Sequence, residues 1–164
     1  MLFRSWFRPG GHLLDIGCGS GEIAAWLARQ GYRVTGIDVA RSAVQRGRLT
    51  YRAVPRLKLE VDDVCGERWE HGHFDALLDR GCLQSIPGPL KAHYVRNVAA
   101  AACPEARFLL LHAVRPNSTK AATVDQITAL FESTFDLLRF EGTVLAHQSD
   151  GSPINGLAFW MTRI

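Results

Sequence analysis

Leu13-Leu-Asp-Ile-Gly-Cys-Gly-Ser-Gly21 is the stretch on which the fold turns. It completes an apolar run, His12–Ile16, that reads as a β-strand. It then runs into residues 22–30, where Ile23 and Leu27 share one helical face and Gly31 supplies a stop. Gly17, Gly19 and Gly21 allow a tight turn and let a ligand approach bare backbone. Residues 33–37 read as a second strand, and Asp38 ends it, 23 positions after Asp15. In doubly wound α/β folds an acid at about that distance accepts hydrogen bonds from ribose hydroxyls. A glycine-rich turn alone is a weak signal, since it can be a plain connection. With strand, helix and acid in register it is a strong one.

The pattern continues outward. Residues 41–53 read as a second helix broken by Pro55, Leu57–Val61 as a third strand and residues 74–78 as a fourth. Residues 81–88 form a loop, and Pro89 stands where the first turn of a helix tolerates proline. Leu90, Tyr94, Val98 and Ala101 follow at helical spacing, and residues 107–113 read as a buried strand. Thr123-Val-Asp-Gln126 has the form of a capping box, opening a helix with Ile127, Leu130 and Phe131 inward. Residues 135–140 and 157–162 are late strands. The connection between them is too short for a crossover helix, so they are expected to pair antiparallel. Alternating strands and helices of this kind predict an α/β protein with a mainly parallel sheet.

Length and composition bound the rest. The 164 residues suit one domain spanning 1–164, and 47% hydrophobic with 21% charged residues excludes a disordered, collagenous or coiled-coil chain. No apolar run reaches the roughly 18 residues of a membrane span. Arg4 and Arg8 interrupt the N-terminal apolar residues, unlike a signal peptide. A cytoplasmic protein, with no membrane partner, is the expectation. Cys18, Cys65, Cys82 and Cys103 have no CxxC or zinc spacing, so reduced thiols are expected. The net charge of +3 divides unevenly: residues 1–56 carry nine arginines against three acids. A solvated helix face explains that cluster better than nucleic acid, since no nucleic-acid motif accompanies it.

The ligand can be narrowed further. A nicotinamide dinucleotide fingerprint reads G-x-G-x-x-G, whereas Gly17, Gly19 and Gly21 read G-x-G-x-G after Asp15. A buried carboxylate there would repel a pyrophosphate and suit a ligand bearing an ammonium or sulfonium. S-adenosylmethionine carries both. Residues 13–21 resemble the first motif of class I S-adenosylmethionine-dependent methyltransferases, Thr35-Gly-Ile-Asp38 their second and Val61-Asp-Asp-Val64 their third. Phe74-Asp-Ala-Leu-Leu-Asp-Arg-Gly-Cys82, followed by Ile86-Pro87, is similar to the thiopurine and thiol methyltransferase-like branch.

The resemblance implies a Rossmann-like seven-stranded, mostly parallel sheet with helices on both faces and its last strand antiparallel. It implies that Asp15, Gly17, Cys18, Gly19 and Gly21 lie along the methionine portion of S-adenosylmethionine. Asp38, with Val39 beside it, would bind the ribose. Asp63 and Val64 would receive the adenine, and Asp79 and Arg80 would sit beside the reactive methyl. Residues 1–11 are shorter than the usual N-terminal extension, so Leu2, Phe3, Trp6 and Phe7 would form a small lid or a packing surface.

The expected acceptor is a small molecule, with sulfur slightly ahead of oxygen and nitrogen; the alternative of another class is a non-catalytic module of this fold whose short N-terminus packs on a partner protein. A thiol near its pKa needs little help, whereas an alcohol or phenol needs a base. Asp79, Arg80 and His112 are the candidate catalytic residues. His112 ends the fifth predicted strand, at the edge where open α/β sheets bind ligands. Its plain alternative is a strand-end histidine in a polar turn. Arg80 is placed to pair with an anionic substrate or with Asp79. Gln84 and Tyr94 could shape the acceptor pocket, Tyr94 otherwise being a core residue. Cys82 lacks the Pro-Cys context of a cytosine-type nucleophile. His71 and His73 have no third ligand, so no metal is expected. Monomer and homodimer both remain open.

Overall fold

The computed structural model describes residues 6–8, 10–67, 73–114 and 119–164. The strands are β1 (His12–Ile16), β2 (Arg33–Asp38), β3 (Leu57–Val61), β4 (Phe74–Arg80), β5 (Ala102–Ala113), β6 (Phe135–His147) and β7 (Pro153–Arg163). The helices are α1 (Glu22–Arg29), α2 (Arg41–Thr50), α3 (Lys91–Ala101) and α4 (Lys120–Phe131). The strands form one seven-stranded sheet in the order β3-β2-β1-β4-β5-β7-β6. β1 to β5 run parallel, and β7 is antiparallel to both β5 and β6. Strand order reverses between β1 and β4. The crevice beyond their carboxyl ends is therefore the place where such a sheet receives a ligand.

Side-chain alternation along the strands makes two cores. Phe108 and Leu110 of β5 join Leu14, Leu77 and Phe159 beneath Tyr94 and Val98 of α3 and Phe131 of α4. Leu109 and Leu111 face the other way, joining Leu13, Val34, Leu78 and Trp160 beneath Leu27 of α1 and Val44 of α2. A central strand buried on both faces must be apolar at every position, which is why residues 108–111 form an unbroken apolar run.

Several local expectations change, among them the start of the fifth strand, which lies at Ala102 rather than at residue 107. Thr123 does not cap a helix: α4 starts earlier, with Thr119 as its N-cap accepting from Ala122 N–H at 3.0 Å. Thr123 lies inside that helix, buried, with its hydroxyl donating to the Thr119 carbonyl at 3.0 Å. Pro89 falls in a short 3₁₀ turn, Gly88–Leu90, ahead of α3 rather than at its first position. The last strands are longer than their apolar stretches, because β6 and β7 continue past the core as a hairpin closed by Asp150, which accepts from Ser152 N–H at 2.9 Å.

Leu2 and Phe3 lie outside the described residues. Phe7 is buried against Tyr32, whose hydroxyl donates to the Phe7 carbonyl at 3.2 Å. Trp6 lies under the Arg107 guanidinium, 5.0 Å from its ring centroid. Tyr32 directly precedes β2, and Arg107 pairs with Ala76 near the start of β4, so these two aromatics sit at the edge of the sheet opposite the crevice.

α2 meets the glycine-rich turn at Gly47. A Cβ there would collide with the Ser20 carbonyl and lie 2.8 Å from Leu59 Cδ1. In an exposed helix, Gly→Ala is expected to stabilise by up to about 1 kcal/mol. Gly47→Ala is instead expected to destabilise by about 1–3 kcal/mol through overpacking, since the obstacle is backbone. A thermal melt of that variant at or above the wild-type midpoint would refute this packing.

Candidate active site

The carboxyl end of β1 continues into the glycine-rich turn, and the turn is tied to β2. Cys18 N–H donates to the Ile37 carbonyl at 2.9 Å, and Gly19 N–H to Asp38 Oδ2 at 2.8 Å. Asp38 Oδ1 accepts from Ala40 N–H at 2.8 Å. One carboxylate thus fixes both the turn and the entry to α2, and each oxygen keeps a lone pair for a further donor. Gly17 has φ +69°, and a Cβ on it would stand 2.7 Å from Cys82 Cβ. The turn after β1 and the turn after β4 therefore close on each other at a point where no side chain fits.

Between them is a cleft of about 250 Å³ lined by Gly17, Ile37, Asp38, Val39, Asp62, Val64, Arg80, Gly81, Cys82 and Ser85. Four residues expected at a cofactor, Gly17, Asp38, Val39 and Val64, line it, and so does Arg80. Cys18, Gly19 and Gly21 shape the turn without lining the cleft, Gly21 as the left-handed N-cap of α1. Asp63 turns back on its own loop, accepting from Cys65 N–H at 2.8 Å. Its neighbour Asp62 faces the cleft instead. Strand alternation could have indicated this, because Asp62 continues the phase of Lys58 and Glu60, opposite to that of buried Leu59.

Asp79 lies behind the wall, with none of its surface exposed. Its Oδ1 accepts from Cys82 N–H at 2.7 Å, and its Oδ2 accepts from Leu83 N–H at 2.9 Å and Tyr94 Oη–H at 2.6 Å. The carboxylate organises the turn Gly81–Leu83, and Tyr94 is a core residue whose hydroxyl completes that anchor. Arg80 donates to the Leu145 carbonyl at 2.7 Å rather than to Asp79. His112 is buried outside the cleft lining, with Nδ1 2.9 Å from the Ala113 carbonyl oxygen. Gln84 accepts from Ala113 N–H at 2.8 Å, tying the post-β4 turn to the end of β5.

Burial sets the electrostatics. Asp15 is pushed up to about 7, first by desolvation and then by the Asp79 carboxylate, with Arg80 opposing. Desolvation pushes Asp79 up to about 6 against the pull of Tyr94 and the backbone N–H groups. The thiols of Cys18 and Cys82 are raised by burial and by nearby carboxylates, which keeps them protonated and poor nucleophiles. Among the described residues no group of three or more His, Cys, Asp or Glu could hold a metal ion. His71 lies outside them.

A seven-stranded Rossmann-like sheet with a glycine-rich turn and an acid facing the switch-point cleft defines a domain that binds a nucleoside-containing cofactor. Comparison with known proteins makes this specific. A family described as "Methyltransferase domain" matches residues 13–105, more than half of the chain. The chain belongs to that methyltransferase family. It is 30% identical over 103 residues to 2-heptyl-1-hydroxyquinolin-4(1H)-one methyltransferase of Mycobacteroides abscessus, covering 62% of this chain and 45% of that protein. It is 36% identical over 86 residues to a ubiquinone biosynthesis O-methyltransferase of Xanthomonas campestris, covering 50% of this chain and 35% of that protein. The matches thus span less than half the length of these curated relatives. A crystal structure of a SAM-dependent methyltransferase from Methanosarcina mazei superposes with a TM-score of 0.83 at 19% identity, covering 99% of this chain and 97% of that one. At that identity the likeness shows the fold.

The residues present fit S-adenosylmethionine, the cofactor of this class of domain. Gly17 leaves bare backbone at the cleft floor, and Asp38 keeps acceptor capacity for ribose hydroxyls. An adjacent ammonium or sulfonium favours the ionised form of a buried carboxylate, as at Asp15.

Proposed function

We propose that this chain transfers a methyl group from S-adenosylmethionine to a small-molecule acceptor. The observation that carries the reading is the switch-point cleft, with Gly17 and Asp38 on one wall and Asp62 and Val64 on another. When bound, the cofactor supplies a methyl group on an already activated sulfonium. Asp15 and the Gly17–Gly21 backbone would hold its methionine end. Asp38 and Val39 would hold the ribose, and Asp62 or Asp63 with Val64 the adenine. The chain's main contribution is alignment, worth up to roughly 7–11 kcal/mol when donor and acceptor are well oriented. Asp79 serves that end as a positioning residue, since it sets the Gly81–Cys82–Leu83 turn facing Gly17.

Acceptor choice follows from what faces the cleft. Its described lining contains no histidine, and the arginine on its rim, Arg80, suits an acceptor that arrives as an anion. A thiol meets that condition most easily, and the resemblance of Asp79-Arg80-Gly81 to the thiol methyltransferase-like branch points the same way. An acidic hydroxyl is the second reading, favoured by the two relatives named for a hydroxyquinolone and for O-methylation.

Turnover of a thiol, phenol and amine panel by wild type and His112→Ala tests both. With a thiol acceptor, the variant is expected to keep kcat within roughly tenfold, because a general base is worth about 10²–10⁴-fold only where one is needed. A thousandfold loss on a hydroxyl acceptor, with no thiol turnover, would overturn the sulfur reading. Absence of turnover with every acceptor, despite cofactor binding, would overturn methyl transfer itself.

A further inference from the structure

The two edges of the sheet are built differently. β3, at one edge, has five residues and carries Lys58 and Glu60. Short, charged edges of this kind resist pairing with another chain. β6, at the other, has 13 residues, more than twice the usual strand length, with neither lysine nor proline among them. Leu138 (56% exposed), Phe140 (48%) and Val144 (51%) lie along it, and Ile154 (38%) lies on β7 at the hairpin tip. Half of the eight large exposed apolar side chains among the described residues thus belong to this hairpin. Between irregularities at residues 138 and 145, β6 runs as a regular ladder with β7, and among the described residues no strand pairs with its outer edge.

The sequence of that edge matches itself. A two-fold axis normal to the sheet places each residue of β6 opposite the one equally far on the other side of the axis. Centred on Phe140, it sets Arg139 opposite Glu141 of the partner subunit and Glu141 opposite Arg139 of the partner subunit. Phe140 then meets Phe140 of the partner subunit. A shift of the axis by one residue sets Arg139 against arginine or Glu141 against glutamate, and like charges directly opposite are destabilising. Both charges are already oriented within the chain. The Arg139 guanidinium lies over the Trp160 ring at 4.1 Å and is 3.1 Å from Glu141 Oε1.

We propose that β6 is a homodimer interface, in which two copies pair antiparallel about Phe140 and join their sheets into one. The occupant is a second copy because the charge order of the edge complements its own reverse. The residues involved lie outside the cofactor cleft, so the proposal does not depend on the methyl-transfer reading.

Sedimentation velocity and light scattering across the micromolar range test it. The wild type is expected to reach twice the 18.2 kDa chain mass. Arg139→Glu and Glu141→Arg are each expected to halve it, since each sets like charges opposite. An equimolar mixture of the two variants restores opposite charges and is expected to recover the doubled mass, as is the double variant R139E/E141R. Glu141→Arg leaves the Arg139–Trp160 contact in place. Its outcome therefore stands alone if Arg139→Glu proves unfolded by circular dichroism. A wild type that stays at the chain mass, folded single variants that remain dimeric, or folded single variants that stay monomeric on mixing would each overturn the proposal.

Discussion

Asp38→Ala is expected to lower the affinity for S-adenosylmethionine by about 10²–10⁴-fold. Two charge-assisted hydrogen bonds to ribose hydroxyls, at roughly 1.5–3 kcal/mol each, account for that range. The structure adds a second consequence. The same carboxylate accepts from Gly19 N–H and Ala40 N–H, so alanine also frees the glycine-rich turn from β2 and leaves the entry to α2 without its anchor. Thermal stability should fall by about 1–3 kcal/mol as those bonds are lost. Calorimetry with the cofactor, alongside a melt without it, separates the two effects. A variant that melts lower yet binds as tightly as wild type would confine Asp38 to the turn and remove it from the ribose site.

Asp15→Asn is expected to weaken cofactor binding by at least about 10²-fold while making the protein more stable at alkaline pH. Asp15 titrates at about 7 in the fold against 3.8 for an unperturbed aspartate, chiefly through burial. Between those values the folded state holds a proton that the unfolded chain has lost. Stability from this group is therefore fully present below about 4, falls as pH rises through the window, and levels off above 7. The cost at pH 8 is on the order of 4 kcal/mol, and asparagine, which carries no charge, escapes it. The melting midpoint of Asp15→Asn should exceed that of wild type at pH 8 and converge with it near pH 4. Binding runs the other way, because a cationic ligand favours ionised Asp15. Wild-type affinity should weaken by up to about tenfold per unit below pH 7, with one proton released on binding. Asp15→Asn should lose at least about 10²-fold, the scale of a buried charge deprived of its partner. Calorimetry in buffers of different ionisation enthalpy counts the proton. Affinity independent of pH between 5 and 8 would remove Asp15 from the cofactor's charged end.

Much of this architecture was legible along the chain because its signals are local. β1, the glycine-rich turn and α1 lie within consecutive residues, and a left-handed turn position such as Gly17 or Gly21 calls for glycine whatever surrounds it. The antiparallel end of the sheet was legible from the Gly-rich connection between the late strands read at 135–140 and 157–162, which is too short for a crossover helix; the structure narrows that connection to residues 148–152. The start of α4 was less legible, since Thr119 and Thr123 are both competent caps and only the course of the backbone separates them.

The sequence by itself therefore determined the sheet type, the cofactor-side turn with Asp38 in register, and the methyltransferase family. Each depends on residue type and spacing, which survive without knowledge of distant neighbours. Tertiary structure decided where the oxygens of each acid go. Asp62 lines the cleft, and Asp63 accepts from Cys65 N–H. Asp79 is claimed by Tyr94 and two backbone N–H groups, and Arg80 reaches a carbonyl 65 residues away. It also decided that Trp6 and Phe7 sit at the edge of the sheet opposite the cleft, and that β6 is the last strand of the sheet among the described residues. Those outcomes depend on burial and hydrogen bonding between segments far apart in sequence. A side chain's partner there is set by strand order and packing rather than by its own chemistry.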